Sequence, residues 1–308
     1  MTPKTRGGAQ AYAKGFVTMV GKQGVAVTAL NLSGNSLGVA GAGALAEAVG
    51  AARGLALLDL RGNPLGHAGA AAVCPALRQH PALQTLRLSK CKLGDRGGRA
   101  VLEALTVMSA VAELDLSHNQ LGQGPGFGEA VGDFLRTNET VTRLDLGWNT
   151  LRLGNAEALC EGLADNGTLE YLTLAWNSFG DRGGCAMGRA LRLNRGVLEL
   201  DLSHNTVGEK GTMVLADALM ENKTLEELEL DQNPVGPRGG RCAKPRGPGG
   251  VPTPARCLID PHGAPARRAV VRALLKLAEE EHNGQVCHYM TQPLVELYAG
   301  CMVVLKVS

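Results

Sequence analysis

The chain has 308 residues, of which 44 % are hydrophobic, 19 % are charged and 3 % are aromatic, with 42 glycines and a formal net charge of +2. This composition excludes a disordered chain and a strongly basic nucleic-acid binder, and it suits tight turns and small aliphatic side chains. No apolar run approaches the roughly 18 to 20 residues of a membrane-spanning helix, so we expect neither a membrane nor a nucleic acid as partner.

The start of the chain shows no charged segment followed by an apolar core and a cleavage site, so we expect a cytoplasmic protein. Eight cysteines lie scattered without a CxxC pair. In such a chain we expect them to be reduced and mostly packed, with no disulfide framework.

One pattern, L-x-L-x-x-N-x-L-G, recurs along the chain at intervals of 28 residues, with one interval of 30. The two leucines before the asparagine are present in every copy. Cysteine replaces the asparagine once, and the eight positions are Asn35, Asn63, Cys91, Asn119, Asn149, Asn177, Asn205 and Asn233. The glycine that follows the apolar position marks the turn out of a strand.

Apolar pairs four residues apart follow the first seven copies and predict one buried face of a helix. The fourth pair is shifted by a two-residue insertion around Gly122–Gly128. The pairs are Leu45/Val49, Val73/Leu77, Val101/Leu105, Val131/Leu135, Leu159/Leu163, Met187/Leu191 and Leu215/Leu219.

Each unit therefore reads as a strand, a turn, a helix and a return loop, and stacked units bury a continuous core. The strands must be parallel, because each connects to the next through a helix. Strands lie about 4.8 Å apart and helices about 8 to 10 Å apart, so the sequence predicts an α/β solenoid, a horseshoe with its parallel sheet on the concave side and its helices on the convex side. The recurring asparagine should bond backbone groups of neighbouring units, and Cys91 is interpreted as a tolerated variant of it.

The 28-residue unit resembles the ribonuclease-inhibitor-like subfamily of leucine-rich repeats, over about residues 9–240. The segment from Asn138 to Asn205 is similar to intracellular repeat-only proteins and to the repeat regions of NOD-like receptors. The resemblance implies a repeat domain that binds another protein. It also implies two alternatives, a GTPase-activating regulator resembling Ran GTPase-activating proteins, with Arg61 and Arg87 placed for contact, and an innate-immune regulator.

The pattern divides the chain into three regions. Residues 1–240 are predicted to form the repeat domain of about eight units. Residues 241–263 are rich in proline and glycine and are expected to be a linker. Residues 264–308 hold a predicted amphipathic helix at 264–281 and an apolar tail, which are either a cap of the repeats or a tail without an evolved role.

Residues six, four and two positions before the asparagine should face the concave surface. They include nine acidic residues against Arg61, Arg87 and Arg143. This excess predicts a partner with a basic surface, although acids there also keep a sheet soluble.

The position just before the asparagine carries His118, Trp148, Trp176 and His204 in four consecutive units. We expect the two indoles to come within stacking range beside the acidic sheet, either as a contact patch or folded down as packing, and we favour contact. The predicted partner-binding residues are Trp148, Trp176, His118, His204, Tyr171, Asp115, Asp145 and Asp201.

Enzyme motifs are weak in this sequence. The glycine-rich run at Gly122–Gly128 has no strand-to-helix context, and residues 15–22 depart from the phosphate-loop spacing. His282, Cys287 and His288 fit no zinc pattern. We therefore expect no catalytic residue, no metal and no cofactor, and we predict a monomeric, non-enzymatic protein-binding scaffold.

Overall fold

A computed structural model describes residues 27–78, 80–106 and 110–234 of the chain, together with the backbone of a strand at 256–258. The chain divides into two compact units, residues 1–151 and 152–308, and each unit is described by itself. The predicted helix at 264–281, the apolar tail and the His282, Cys287 and His288 group lie outside the described residues.

The first unit alternates strands and helices along the chain. Its central strand leucines lie side by side, from Leu30 opposite Leu58 to Leu114 opposite Leu144, and all four pairings are parallel. The elements are β1 (Ala29–Asn31), α1 (Val39–Ala51), β2 (Leu57–Asp59), α2 (Gly66–Arg78), β3 (Thr85–Arg87), α3 (Gly94–Thr106), β4 (Glu113–Asp115), α4 (Phe127–Thr137) and β5 (Arg143–Asp145).

The second unit repeats this order. Its first three strands pair in parallel, with Leu172, Leu200 and Leu228 in register. The last strand, inside the segment predicted as linker, pairs antiparallel with the strand before it. The elements are α5 (Gly154–Asp165), β6 (Tyr171–Thr173), α6 (Gly180–Leu193), β7 (Glu199–Asp201), α7 (Glu209–Glu221), β8 (Glu227–Glu229) and β9 (Arg256–Leu258).

The core lies between each sheet and its helices. Every residue of the seven predicted helix pairs is at most 2 % exposed. The prediction that these pairs form the buried face of each helix is therefore confirmed. The central leucines of β2 to β8 are also buried. The residues that flank each central leucine therefore point away from the helices, and we call this side the outer face of each sheet.

The recurring asparagines form a ladder of side-chain hydrogen bonds, as predicted. Oδ1 of Asn119 accepts the backbone N–H groups of Cys91 and Leu93, at 2.9 and 3.3 Å. Its Nδ2 group donates to the carbonyls of Leu88 and Leu116, at 2.8 and 3.1 Å. Asn119 thus joins neighbouring repeats, and these four bonds are sheltered from water.

A second asparagine ladder, which the sequence analysis missed, follows the helices at Asn138, Asn166, Asn194 and Asn222. Nδ2 of Asn194 donates to the carbonyls of Leu163 and Asn166, at 2.7 and 2.6 Å, while Oδ1 accepts the N–H groups of Gly196 and Val197. The signal was the same 28-residue spacing. Three of these asparagines match the glycosylation pattern Asn-x-Thr, but they are at most 6 % exposed, so the folded chain hides them from a modifying enzyme.

Candidate partner-binding surface

The residue before each ladder asparagine has a left-handed backbone. The φ angles are 55° at His118, 55° at Trp148, 61° at Trp176 and 55° at His204. Glycine occupies the same position in the first two repeats, at Gly34 and Gly62. A left-handed φ angle is rare for a bulky residue, and it costs little free energy only for glycine. These two glycines were therefore the signal in the sequence for the left-handed backbone.

Hydrogen bonds to the next repeat impose this backbone. The N–H of Trp176 donates to the carbonyl of Ser203, and the N–H of His118 donates to the carbonyl of Gly147, both at 3.0 Å. The strain is of the order of 1 to 2 kcal/mol for a non-glycine residue, and the ladder beneath the turn compensates for it. Hydrogen bonds therefore fix the backbone at this position, while the side chain remains at the surface.

Each unit carries one stack of an indole on an imidazole. In the first unit the rings of His118 and Trp148 have centroids 4.9 Å apart and planes 15° apart. In the second unit the rings of Trp176 and His204 are closer, at 3.8 Å and 13°. The indoles of Trp148 and Trp176 are 48 % and 41 % exposed, so both are surface groups. The predicted contact between the two indoles stays a prediction, as does their role in binding.

The imidazole of His118 is biased towards its neutral form. Burial, followed by the positive charge of Lys90, lowers its pKa, while the nearby Asp115 carboxylate acts in the opposite direction. A neutral ring lies on an indole without the cost of desolvating a charge, which favours the observed stack with Trp148.

The aspartates of the predicted site have a structural role that the sequence analysis missed. Oδ1 of Asp115 accepts the N–H of Ser117 at 3.0 Å, and Oδ1 of Asp201 accepts the N–H of Ser203 at 2.8 Å. Asp145 makes the same bond to the N–H of Gly147. In each case the aspartate side chain accepts the N–H of the residue two positions later, which makes an Asx turn. The turn ends the strand just before the left-handed residue.

Tyr171 begins β6 and is partly buried on the outer face. Its register partner on β7 is Glu199. The second unit thus places Tyr171 beside an acidic residue, and the role of Tyr171 in binding stays a prediction.

Arg61 is held by its own chain. Its Nη2 group lies 2.6 Å from Oδ2 of Asp59, which is 1 % exposed, and its Nε group contacts both carboxylate oxygens. Burial alone would raise the pKa of Asp59, but hydrogen bonds from Arg61 and the charges of Arg61 and Arg87 bring it below the ordinary value. The resemblance assigned Arg61 to a GTPase contact, and in this structure its guanidinium engages Asp59.

The glycine-rich loop at Gly122–Gly128 binds a carboxylate of its own chain. The N–H groups of Gly122 and Gly124 donate to the two oxygens of Asp95, the second at 2.8 Å. Backbone N–H groups of this kind are the groups that hold a phosphate in nucleotide-binding loops. Asp95 occupies them here, which gives this loop a structural role.

The cysteines of the described segments are free thiols. Burial is the main cause that raises the pKa of Cys74 and of Cys91 to about 11, and it also raises the pKa values of Cys160 and Cys185. A thiol of raised pKa is a poor nucleophile at neutral pH. Within the segments that the structure describes, no group of three or more histidine, cysteine, aspartate or glutamate side chains is placed to hold a metal ion.

A comparison with models of known protein families agrees with this architecture. A family model described as "Leucine Rich repeat" matches six segments of the chain, residues 27–46, 79–102, 137–160, 165–188, 194–216 and 221–242. No curated protein matches the chain. Among solved structures, the chain is similar to the tropomodulin C-terminal domain of Caenorhabditis elegans, with 12 % identity, 70 % of this chain and 95 % of that chain covered, and a TM-score of 0.38.

Within the described residues, no helix has the length and apolar character needed to cross a bilayer. Each of the six matched segments contains one described strand, and five of them extend into the helix that follows it. The asparagine ladder joins one repeat to the next. The part of the chain that the structure describes therefore has the leucine-rich repeat fold.

Proposed function

We propose that this protein is a non-enzymatic scaffold that binds another protein through the outer faces of its sheets and the two aromatic stacks. The partner has a basic surface, because the outer positions carry nine acidic residues against three arginines. Solenoids of this kind commonly use an extended face of their repeats for binding. The 28-residue unit supports placement in the ribonuclease-inhibitor-like subfamily, and the buried free thiols support a reducing, cytoplasmic environment.

One observation carries the proposal: the chain keeps two exposed tryptophans at a backbone position that glycine fits better. Neither indole fills the core, and tryptophan is enriched among the residues that dominate protein interfaces. An exposed aromatic ring also promotes aggregation. A tryptophan at this position adds both backbone strain and a tendency to aggregate, and it is best explained by a contact with another protein.

The experiment compares partner capture by the wild-type chain and by Trp148→Gly/Trp176→Gly. Glycine keeps the left-handed turn, so the double variant removes the rings and preserves the fold. The matched control is Lys90→Gly/Gln232→Gly, which changes the same position of two other repeats, with φ angles of 57° and 55°.

Purified, tagged chains are incubated with cytosol, and the captured proteins are quantified by mass spectrometry. We expect proteins captured by the wild type and the control to be depleted by about tenfold or more from the double variant, as for loss of a hot-spot residue. Equal capture by all three chains would refute a role for the aromatic stacks.

A further inference from the structure

The last helix of the second unit, α7, carries two exposed methionines. Met213 is 44 % exposed and Met220 is 49 % exposed. The two residues are seven positions apart, so they lie on one side of the helix, two turns from each other. We call them the methionine pair.

Contacts made one repeat earlier show what this side of a helix does in the repeat array. Cys185 of α6 is 28 residues before Met213, and its Sγ atom lies 3.7 Å from a backbone carbonyl oxygen of α7. Arg192 is 28 residues before Met220, and its Nε atom lies 3.7 Å from a carboxylate oxygen of Glu221 on α7. Both positions contact the helix of the next repeat. The methionine pair is therefore on the side of α7 against which a further helix would pack.

The sequence of the next repeat is unsuited to supply that helix. A spacing of 28 residues from Glu209, where α7 begins, would start it at residue 237. Residues 237–249 contain three prolines and four glycines, and both residue types disfavour a helix. Another segment of this chain, or another molecule, is needed to cover the methionine pair.

The strand β9 brings a later segment of the chain back to α7. It pairs antiparallel with β8, so its last residue, Leu258, lies opposite Glu227, the first residue of β8. The helix α7 ends at Glu221, and five residues connect it to Glu227. The chain therefore leaves β9 at the edge of the sheet where α7 ends. The same gap of five residues after Leu258 leads to residue 264.

The sequence from residue 264 to residue 281 has the pattern of an amphipathic helix. Its apolar residues Val270, Leu274 and Leu277 recur at intervals of four and three, which is typical of one buried helix face. Eighteen helical residues are about 27 Å long, enough to cover the 13 residues of α7. A helix that starts beside the end of α7 and returns along it runs antiparallel to it.

The charges of the two segments are complementary in this arrangement. Asp217 and Glu221 are exposed in the second half of α7. The segment 264–281 has three arginines in its first half and three glutamates at its end. Counted from the shared edge of the sheet, Arg268 is level with Asp217, while the glutamates extend past the first residue of α7. Opposite charges therefore meet along the end of α7.

We propose that residues 264–281 form a helix that packs antiparallel on α7 and covers the methionine pair. In this arrangement Val270 and Leu274 are level with the turns on either side of Met213. The helix caps the repeats on the side where the regular pattern stops, as solenoids require at their ends. The proposal concerns the helical side of the second unit, so it is independent of the proposed binding function, which uses the outer faces.

The test places a photo-cross-linking residue at each methionine of the full chain, as Met213→p-benzoylphenylalanine and Met220→p-benzoylphenylalanine. Cross-linked peptides are identified by mass spectrometry, with mixed ¹⁴N and ¹⁵N chains to separate links within one molecule from links between two. Both sites should link to residues 264–281 of the same molecule. Because the helices are antiparallel, position 220 should link nearer to the start of that segment than position 213.

The control site is Leu153, which is 57 % exposed at the start of α5. The helix α6 packs against both α5 and α7, so it separates Leu153 from the methionine pair by a helix diameter, about 10 Å. We expect Leu153→p-benzoylphenylalanine to give links to residues 264–281 at a yield at least about tenfold lower, because contact cross-linking does not reach across a packed helix.

Two further variants test which face of the segment makes the contact. Leu274→Gln changes the apolar face, and Lys276→Gln places the same residue on the opposite face. We expect Leu274→Gln to lower the cross-linking yield from position 213 by about tenfold, as for loss of one buried leucine side chain. Lys276→Gln should lower it by less than about twofold.

Four results would overturn the inference. They are a yield from the methionine positions no higher than that from Leu153, the reverse order of links along the segment, equal yields in Leu274→Gln and Lys276→Gln, and links that join two molecules only. The last result would assign the methionine pair to contact with a second copy of the chain.

Discussion

The thiol of Cys91 donates to the carbonyl of Leu60, with Sγ and O 3.2 Å apart, across the boundary between two repeats. It thereby replaces one donor bond of the ladder asparagine. The thiol has no amide oxygen, however, so the backbone N–H of Asn63 contacts the sulfur of Cys91, which is a weak acceptor. The N–H of Leu65 turns instead to the carbonyl of Asn63 at 2.7 Å. This rung of the ladder is therefore weaker than its neighbours.

The change Cys91→Asn should stabilise the chain by about 1 kcal/mol, since it restores a buried hydrogen-bond acceptor to its usual place. Urea denaturation gives the free energy of unfolding, and hydrogen exchange at the amides of Asn63 and Leu65 should slow. The reciprocal variant, Asn119→Cys, is the control and should destabilise. If Cys91→Asn lowers the stability, the site cannot accommodate the amide and this interpretation of the rung is wrong.

The second ladder should be as important as the first. Asn194 is 1 % exposed and makes four hydrogen bonds to backbone groups. Asn194→Ala leaves those groups buried without partners, and we expect a loss of about 3 kcal/mol or more in the free energy of unfolding. Its exposed neighbour provides the control: Arg195→Ala should change that free energy by less than about 0.5 kcal/mol. Equal effects of the two changes would show that the ladder bonds contribute little.

The indole of Trp176 should contribute little to stability. Trp176→Gly loses ring packing on His204 worth about 1 kcal/mol, but it relieves left-handed strain of about the same size. We expect the melting temperature to change by only a few degrees. Phe179→Ala, which empties a position that is 1 % exposed, should instead cost about 3 to 5 kcal/mol. A loss of that size from Trp176→Gly would assign the indole to the core.

The ion pair of Asp59 and Arg61 should make stability depend on pH in the acid range. The pKa of Asp59 in the folded chain is below the ordinary 3.8, so protonation favours unfolding. Its contribution is therefore complete at pH values above 3.8 and is lost as the pH falls through the folded pKa. Asp59→Asn keeps the turn bond to the backbone and removes this dependence. At neutral pH it should cost about 1 kcal/mol, less than a buried charged hydrogen bond, because solvent screens the exposed Arg61 side chain.

Urea denaturation of both chains over a series of pH values tests this sign. The two stabilities should converge as the pH is lowered below 3.8, the ordinary pKa. Divergence on acidification would mean that Asp59 is destabilising as a carboxylate, contrary to its contacts with Arg61.

The features predicted from the sequence were those that recur in every unit. The seven helix pairs and the ladder asparagines recur because each repeat buries the same face, so their period is visible without a structure. The second ladder has the same period. Three of its asparagines stand in the sequence Asn-x-Thr, which favours an Asx turn and also matches the glycosylation pattern, and only burial separates the two interpretations.

The geometry of the candidate site was harder to predict. The left-handed backbone at Trp148 and Trp176 was indicated only by glycine in the first two repeats, and tryptophan itself argues against it. The Asx bonds of Asp115 and Asp201 depend on side-chain rotamers that spacing does not specify. The pairing of outer charges depends on which strands are neighbours, and it emerges only once the register is known.

The left-handed position has an evolutionary consequence. Since neighbouring carbonyls hold its main chain, the fold accepts glycine, lysine, histidine, tryptophan and glutamine there with the same turn geometry. One residue per repeat is thus open to change without rebuilding the scaffold, and successive repeats supply a row of such sites. Natural selection or protein engineering could therefore alter binding by substituting this residue in one repeat at a time.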